Sequence, residues 1–450
     1  MSWEVDRMSD ILSAAKKNVD YGVSLGADQI EIYVVNQNQA RLNVRNAHIL
    51  GGDILDVGGA SVRVYKDNAL GIATTTRLSD LKEVVDKAYS MAKSTTKDPL
   101  FKSLPESMTY TPVEGLYDES LAGIPFEGLS EKLMEGVKIA AGDNEYIVSA
   151  GLTRSINEVA VANSLGVECS QMGTAISGSI SSKLERGEDV AVGRGSSMGR
   201  SLAEYDLVKA GNEAVKKANS RIGARKVDSG VMDVIIDHRG TRSSVGSVLG
   251  AGINGLNVAL GTSFLSDNIG DQIAAESLTV VDDPYVAGGL ASRSFDVEGC
   301  RSSRLEIVEG GVLKTFITDS YSAGCLGINN TGNASKRNLA SKPAPGLTNI
   351  LVTPGDWAFD DMVKETKRGI LMEDSGLGSR GSSTNISSMV NSGYYIEDGE
   401  VVHPVKNTMI GTTVFEFLKN IGGLTKDVLV EGGSSTPAIL LKNIKVSGGR

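Results

Sequence analysis

Glycine supplies 53 of the 450 residues against only 10 prolines, and it gathers at turns between short runs rich in β-branched residues. Such punctuation suits many antiparallel strands joined by tight turns better than a few long helices, because glycine reaches the positive-φ conformations that hairpins need. The length exceeds what one hydrophobic core usually supports. At roughly 150 residues per domain we expect two domains, residues 1–225 and 226–450.

Composition narrows the function classes. An apolar content of 40%, 22% charged residues and a mean hydropathy of −0.07 describe a soluble globular protein. No apolar run approaches the roughly 18 residues that cross a bilayer. The first residues carry Glu4 and Asp6 and lead into an amphipathic stretch, so no signal peptide is read and a cytoplasmic location is expected. The net charge of −10 is spread along the chain without a basic block, which argues against nucleic-acid and membrane partners. Cys169, Cys300 and Cys325 lie far apart and read as reduced thiols, partly buried.

Periodicity places the elements. Met8, Ile11, Leu12, Ala15, Val19 and Val23 recur at helical spacing up to Gly26. Strands follow at 29–35, 41–45, 60–65 and 70–75, the last two joined by a turn at Lys66-Asp67-Asn68. A helix over 79–91 has Ser79 as its expected N-cap. Residues 97–125, with four prolines, read as a long surface connection. Beyond it come a helix over 126–141, strands over 146–156, 159–162, 175–183 and 189–192, and a helix over 206–218. The second half opens with the apolar strand 231–236 and a weakly helical, Gly/Ser-rich segment over 241–260. Hairpins follow around Glu309-Gly310-Gly311 and Asp398-Gly399, with short helices over 360–366 and 412–420. The expected fold is α+β: an N-terminal α/β domain with a mixed sheet and flanking helices, and a strand-rich C-terminal domain, antiparallel and barrel-like.

Motifs that carry chemistry are few. Three histidines, His48, His238 and His403, are too scattered for one helix to present two of them to a metal. Gly195-Ser196-Ser197-Met198-Gly199 fits G-x-S-x-G, but the next helix begins about nine residues later, whereas a nucleophile elbow needs the helix to start at the serine. Gly376 to Gly381 fits G-x-G-x-x-G without a βαβ unit around it and reads as a flexible loop. Asp282-Asp283 and Asp296-Val297-Glu298 are the best carboxylate clusters; they suit Mg²⁺ or Ca²⁺ better than Zn²⁺, and no ligand-rich loop surrounds them.

Several stretches in order resemble the TldD/PmbA family, known also as modulators of DNA gyrase. They are Gly59 to Tyr65 with Gly71-Ile72-Ala73, Gly115 to Asp118 and Asn163 to Gly166, then Val281-Asp282-Asp283, Asp296 with Glu298-Gly299, Glu309 to Leu313, Thr318-Asp319, Thr331-Gly332-Asn333, Leu347-Thr348-Asn349 and Pro437-Ala438-Ile439. In that family the TldD-like members are similar to zinc peptidases with H-E-x-x-x-H on a helix and a cysteine ligand near the C-terminus. Here the corresponding region, Arg239 to Gly270, holds neither His nor Glu, and Glu431-Gly432-Gly433-Ser434-Ser435 offers serines in place of the cysteine. Neutral hydroxyls compete poorly with water for zinc.

The resemblance therefore implies the PmbA (TldE) branch: a non-catalytic subunit with no cofactor of its own. It would be inactive alone and paired as a heterodimer with a TldD-like catalytic subunit that carries zinc, the two enclosing a chamber for short or unfolded peptides. The resemblance yields no catalytic or metal residue in this chain; Asp296, Glu298, Gly299, Asp319, Thr331, Gly332 and Asn333 are the expected peptide-cleft residues. Two alternatives remain open from the sequence. One is a self-sufficient hydrolase using Asp296 and Glu298 or Ser197, and the other a homodimeric peptide-binding protein.

Overall fold

Helix α1 (Ser2–Ser24) lies against a sheet through Ile11, Ala15 and Val19, all buried. Val23, part of the expected apolar stripe, is instead 47% exposed, and Gly22 takes the contact position. A Cβ on Gly22 would sit 2.3 Å from Ile30 Cδ1, so the absence of a side chain sets how closely the helix approaches. The structure is a computed structural model that describes residues 2–142 and 145–449, with side chains from Asp10 onward; Met8 of the same stripe lies outside the described side chains.

The first sheet contains β1 (Gln29–Arg45), β2 (His48–Lys66), β3 (Ala69–Thr75), β4 (Ile147–Asn163), β5 (Glu168–Arg186) and β6 (Asp189–Gly199), in the spatial order β3-β2-β1-β4-β5-β6. Every pairing is antiparallel, so the expected mixed sheet is corrected: hairpins join the neighbours within β1–β3 and within β4–β6, and the chain returns from its helical excursion antiparallel to β1. The β2–β3 turn puts Asp67 and Asn68 at φ of 50° and 61°, the left-handed pair that a two-residue hairpin demands.

Helices α2 (Leu81–Ser94), α3 (Glu119–Ala122), α4 (Phe126–Ala141) and α5 (Leu207–Ser220) complete this half. Alternation along β1 puts Ile30, Ile32 and Val34 in the core with α1 and α2, and Ala40, Leu42 and Val44 in the core with α4 and α5. All these residues share one sheet face, which leaves the other face open toward the second half. Ser79 does not cap α2: it lies in a 3₁₀ turn (Leu78–Asp80) and donates to the Asp80 carboxylate at 2.9 Å, while Asp80 holds the N-cap position without a side-chain bond.

Residues 97–125 bind both halves. Phe101 stacks on Tyr65 at 3.5 Å between centroids, Tyr110 Oη donates to the Gly299 carbonyl at 2.8 Å, and the Glu114 carbonyl accepts from Gly288 N at 3.0 Å.

The second half is built on a 12-stranded sheet around β7 (Gly230–Ile236). Val234 and Ile236 enter one hydrophobic cluster and Ile235 another on the opposite face, which explains the uninterrupted apolar run of a central strand. β7 pairs antiparallel with Ser434–Gly448 and parallel with Arg368–Met372, and Ile350–Val352 touches Ser434–Gly448 in parallel at Leu351↔Ser435. The sheet is therefore mixed, not antiparallel. Its path runs from Val312–Leu313 to Glu400–Pro404 and does not close among the described residues, so the barrel-like expectation is not met. Strand direction follows from the crossovers, in which helix α6 (His238–Ile253), the helix Phe359–Lys364 and long loops carry the chain between strands. Two short helices, α7 (Gly255–Ala259) and α8 (Ser320–Leu326), sit where this half meets the first.

Candidate functional site

Helix α6 is the best-defined wall of a cleft. Asp237 caps its N-terminus, accepting from Gly240 N at 2.7 Å with one oxygen and from Asp374 N at 3.0 Å with the other. Burial raises the Asp237 carboxyl pKa above its ordinary value, and these two N–H donors pull it partly back. One helix face, with Val245, Val248, Leu249 and Ile253, is buried in the core. The other presents Arg239, Arg242, Ser243, Gly246, Ser247 and Gly250, spaced 3, 1, 3, 1 and 3 apart as one helical stripe, to a cleft of about 590 Å³. The facing wall includes Thr348, Ile350, Glu431, Ser434 and Thr436. The two segments that the sequence comparison set apart, the helix after β7 and the run from Glu431, therefore meet across one cleft.

Their side chains are already engaged with the protein. Arg239 Nη1 donates to Glu213 Oε1 at 2.5 Å, and its Nε and Nη2 donate to Glu431 Oε1 at 3.3 and 3.0 Å. Burial works against the Arg239 charge, but hydrogen bonds and the charges of Glu431 and Glu213 more than offset it, so the guanidinium stays protonated. Ser243 Oγ donates to the Gly240 carbonyl at 3.0 Å, and Ser434 Oγ accepts from Ile350 N at 3.2 Å. His238 precedes the stripe but turns its Nε2 to Asp427 Oδ2 at 2.9 Å. The donor set on the cleft is thus hydroxyl, guanidinium and peptide groups, with its one carboxylate held by arginine. Zinc prefers thiolate, imidazole or free carboxylate, so these residues do not fit it. Among the described residues, no three His, Cys, Asp or Glu side chains come together as a metal-holding group.

The seven residues expected to form a peptide cleft gather elsewhere, at the joint between the halves. Arg63 on β2 stands at its centre. Its Nε and Nη2 donate to the two oxygens of Glu31 at 3.0 and 2.6 Å, and Nη2 also reaches Glu298 Oε1 at 2.8 Å. The β1–β2 register sets Glu31 directly opposite Arg63. Burial raises the Glu31 carboxyl pKa while Arg63 opposes the shift; for Arg63, the charges of Glu31 and Glu298 outweigh burial and hold the guanidinium pKa above its ordinary value. Glu298 Oε2 accepts from Ser320 N at 2.8 Å.

Asp296 accepts from Glu298 N, Cys300 N and Ala334 N at 2.9, 3.0 and 2.9 Å, yet burial and the neighbouring Glu298 push its carboxyl up to about 7. Asp319 caps α8 in a reciprocal box with Ser322, and burial and Glu298 raise it to about 6. Asn333 donates to Asp282 Oδ2 at 2.7 Å, and Thr331 Oγ1 accepts from Thr318 N at 2.7 Å. Gly299 and Gly332 have φ of 73° and 70°; a Cβ on Gly332 would lie 2.1 Å from the Arg301 carbonyl oxygen. None of the seven lines the α6 cleft.

The remaining motifs resolve simply. Ser197 lies inside β6, and its Oγ accepts from Asp206 N at 2.9 Å; no histidine lines the pocket beside it among the described residues. The glycines at 376 and 378 pack on α6: a Cβ on Gly376 would be 2.3 Å from Ser243 Oγ and one on Gly378 2.5 Å from Ser247 Oγ. His403 Nδ1 donates to the Pro404 carbonyl at 3.0 Å, and the ring stacks on Tyr395. All three cysteines are free. Sequence reasoning did not single out Arg63, Glu31 or the α6 stripe. The stripe's spacing was readable, whereas the Glu31–Arg63 pair depends on strand register.

A six-stranded antiparallel sheet joined to a strand-rich half whose helix α6 walls a cleft matches, in three successive segments, the domain models of one metallopeptidase family. Residues 30–92 match the model of PmbA/TldA metallopeptidase domain 1, residues 119–222 the central domain, and residues 229–448 the C-terminal domain. The chain belongs to the PmbA/TldD family. It is 25% identical over 453 residues to the Metalloprotease PmbA of Escherichia coli O157:H7, covering 99% of this chain and 98% of that protein. A Metalloprotease of Methanothermobacter thermautotrophicus is 28% identical over 264 residues, 55% of this chain and 57% of its own length. The crystal structure of TldE from Thermococcus kodakarensis matches with a TM-score of 0.87 at 26% identity, over 97% of this chain and 100% of that one.

Proposed function

We propose that this chain is the metal-free subunit of a two-subunit metallopeptidase: it helps enclose and hold short or unfolded peptides, while a TldD-like partner supplies zinc and hydrolysis. One observation carries the reading: the α6 face that borders the cleft bears arginine, serine and glycine, and the one carboxylate among the described residues lining that cleft, Glu431, is tied to Arg239. A water molecule needs a Lewis acid or an activated base to attack a peptide at neutral pH. Among the described residues lining this cleft, neither group is built in.

A peptide held here would lie extended between α6 and the facing wall, its side chains only loosely read, as suits a degradative role. The joint around Arg63 and Glu298 then fixes how the two halves face one another, and its seven residues act by holding that geometry. The chain assayed alone should cleave no peptide, and activity should appear when a TldD-like subunit is added. Robust turnover by the isolated chain, abolished by Ser197→Ala or Glu298→Gln, would return the self-sufficient hydrolase to first place.

A further inference from the structure

Among the described residues, the charged side chains that line the α6 cleft are Arg239, Arg242 and Glu431. Arg239 is already neutralised, by Glu213 at 2.5 Å and Glu431 at 3.0 Å. Arg242 follows three residues later on the same helix face and differs from it. Its hydrogen bond among the described residues is a long one, from Nη1 to the Glu431 carbonyl at 3.4 Å, and no carboxylate pairs with it there. Most of a half-buried guanidinium fork is thus left open to the cleft, in a chain whose net charge is −10. The hydroxyls around it are mostly committed as donors: Ser243 to the Gly240 carbonyl at 3.0 Å, Thr348 to Asp282 at 2.8 Å and Thr436 to the His238 carbonyl at 2.7 Å. Ser434 instead accepts, from Ile350 N at 3.2 Å, which leaves its own hydrogen without an acceptor among the described residues. Strand register sets Ser434 opposite Glu431, the residue whose carbonyl Arg242 touches.

We propose, on the peptide-holding reading of the α6 cleft, that Arg242 grips a carboxylate of the bound peptide, either the C-terminal one or that of an acidic side chain. A carboxylate takes two parallel N–H···O bonds from a guanidinium fork, and such charge-assisted bonds are about twice as strong as neutral ones. Ser434 adds a hydroxyl donor. A peptide carboxamide accepts from Arg242 without the charge, and an ammonium group meets it as a like charge. The cleft then discriminates between peptides by one charged group while the rest of the chain is held with little preference, which suits a subunit that takes short peptides of many sequences. Arg239, tied to both Glu213 and Glu431, holds the wall and leaves the recognition to Arg242.

The test is fluorescence anisotropy with three labelled, N-acetylated peptides of alanine, serine and leucine: one with a free C-terminal carboxylate, one amidated, and one amidated with an internal glutamate. Each is titrated with the full chain, alone and in complex with a TldD-like subunit stripped of zinc, so that binding is read without cleavage. The free-acid peptide, the glutamate peptide or both should bind at least about tenfold tighter than the plain amide, and which of them does identifies the source of the carboxylate. The preference should weaken as salt is raised. Arg242→Met should bring the acid and amide affinities together while circular dichroism stays unchanged, and Arg242→Lys should restore part of the difference through its charge. Equal binding of all three peptides overturns the carboxylate site and leaves the cleft a peptide cleft; a carboxylate of the partner subunit seated on Arg242 would give that result in the complex. A preference that persists in a folded Arg242→Met chain places recognition elsewhere and overturns the assignment to Arg242. Binding of no peptide, by the chain or by the complex, overturns the peptide-holding reading itself and this site with it.

Discussion

Arg63 Nη2 lies 2.8 Å from Glu298 Oε1, joining strand β2 of the first half to a loop of the second across 235 positions of sequence, with both side chains almost wholly removed from water. A single buried cation thus serves two carboxylates, Glu31 and Glu298, from different halves. Taking the Arg63 charge away strands both carboxylates in a low-dielectric setting, which costs more than the pair contributes when intact, whereas loss of Glu298 leaves Arg63 still paired with Glu31.

Arg63→Ala should therefore destabilise the protein by about 3–5 kcal/mol, because Glu31 and Glu298 both lose their counter-charge. Glu298→Gln keeps a hydrogen-bond acceptor toward Arg63 and leaves Glu31 in place, so a smaller loss is expected. Denaturant unfolding followed by tryptophan fluorescence and far-ultraviolet dichroism measures both; equal stability of Arg63→Ala and wild type would contradict the pairing.

Asp319 gives a pH signature. Its folded pKa near 6 is raised above the ordinary carboxylate value by burial and by Glu298. Between roughly pH 4 and 6 the native protein holds a proton that the unfolded chain has released, so this group's contribution is full below pH 4 and is lost as pH rises through 6. Asp319→Asn keeps an oxygen acceptor for Ser322 and removes the titration. The variant should show a flatter decline of stability from pH 4 to 7 and gain about 1–3 kcal/mol over wild type at pH 7. A slope unchanged by the substitution would show that Asp319 does not titrate there.

Gly332 tests backbone strain. With φ at 70° and the Arg301 carbonyl oxygen 2.1 Å from an added Cβ, Gly332→Ala should cost at least about 2 kcal/mol, more than the change from glycine to alanine could return through unfolded-state entropy. A thermal midpoint within a degree or two of wild type would rule out this loop conformation.

Gly250 tests the cleft. It faces open space, with nothing within 4 Å of an added Cβ, and sits inside α6. Gly250→Ala should raise stability by about 0.5–1 kcal/mol through helix propensity alone. Gly250→Trp should leave the fold intact but occupy the cleft, lowering peptide hydrolysis by the complex with a TldD-like partner more than about tenfold while Gly250→Ala leaves it near wild type. Full activity of the tryptophan variant would remove the cleft from the peptide path.

Much of this organisation was legible in the sequence, and the gaps have physical causes. Helices with a clear apolar stripe, such as α2 and α5, came out within about three residues at each end. β1 was expected as two strands because Asn36 to Gln39 interrupts the alternation; in the structure these residues continue the ladder, opposite Gly58 to Leu55 on β2 and Glu158 to Ser155 on β4. The direction of strands in the second half was not readable, since parallel neighbours such as β7 and Arg368–Met372 are more than a hundred residues apart and depend on crossovers. Glu31 and Arg63 were passed over for a related reason. A lone charge within an apolar run becomes informative only once its strand partner is known. The absence of His and Glu from Arg239 to Gly270 and the serines after Glu431 were readable without coordinates, whereas the cleft these two segments border was not, because the expected cleft residues lie at the joint between the halves instead.

The most direct test of the central claim is elemental analysis by mass spectrometry of this chain purified alone and of the same chain co-purified with a TldD-like subunit. The account predicts far less than one zinc per chain for the isolated protein after dialysis, and about one zinc per complex, retained by the partner when the subunits are separated. About one tightly held zinc in the isolated chain, with peptide cleavage that a chelator abolishes, would contradict it.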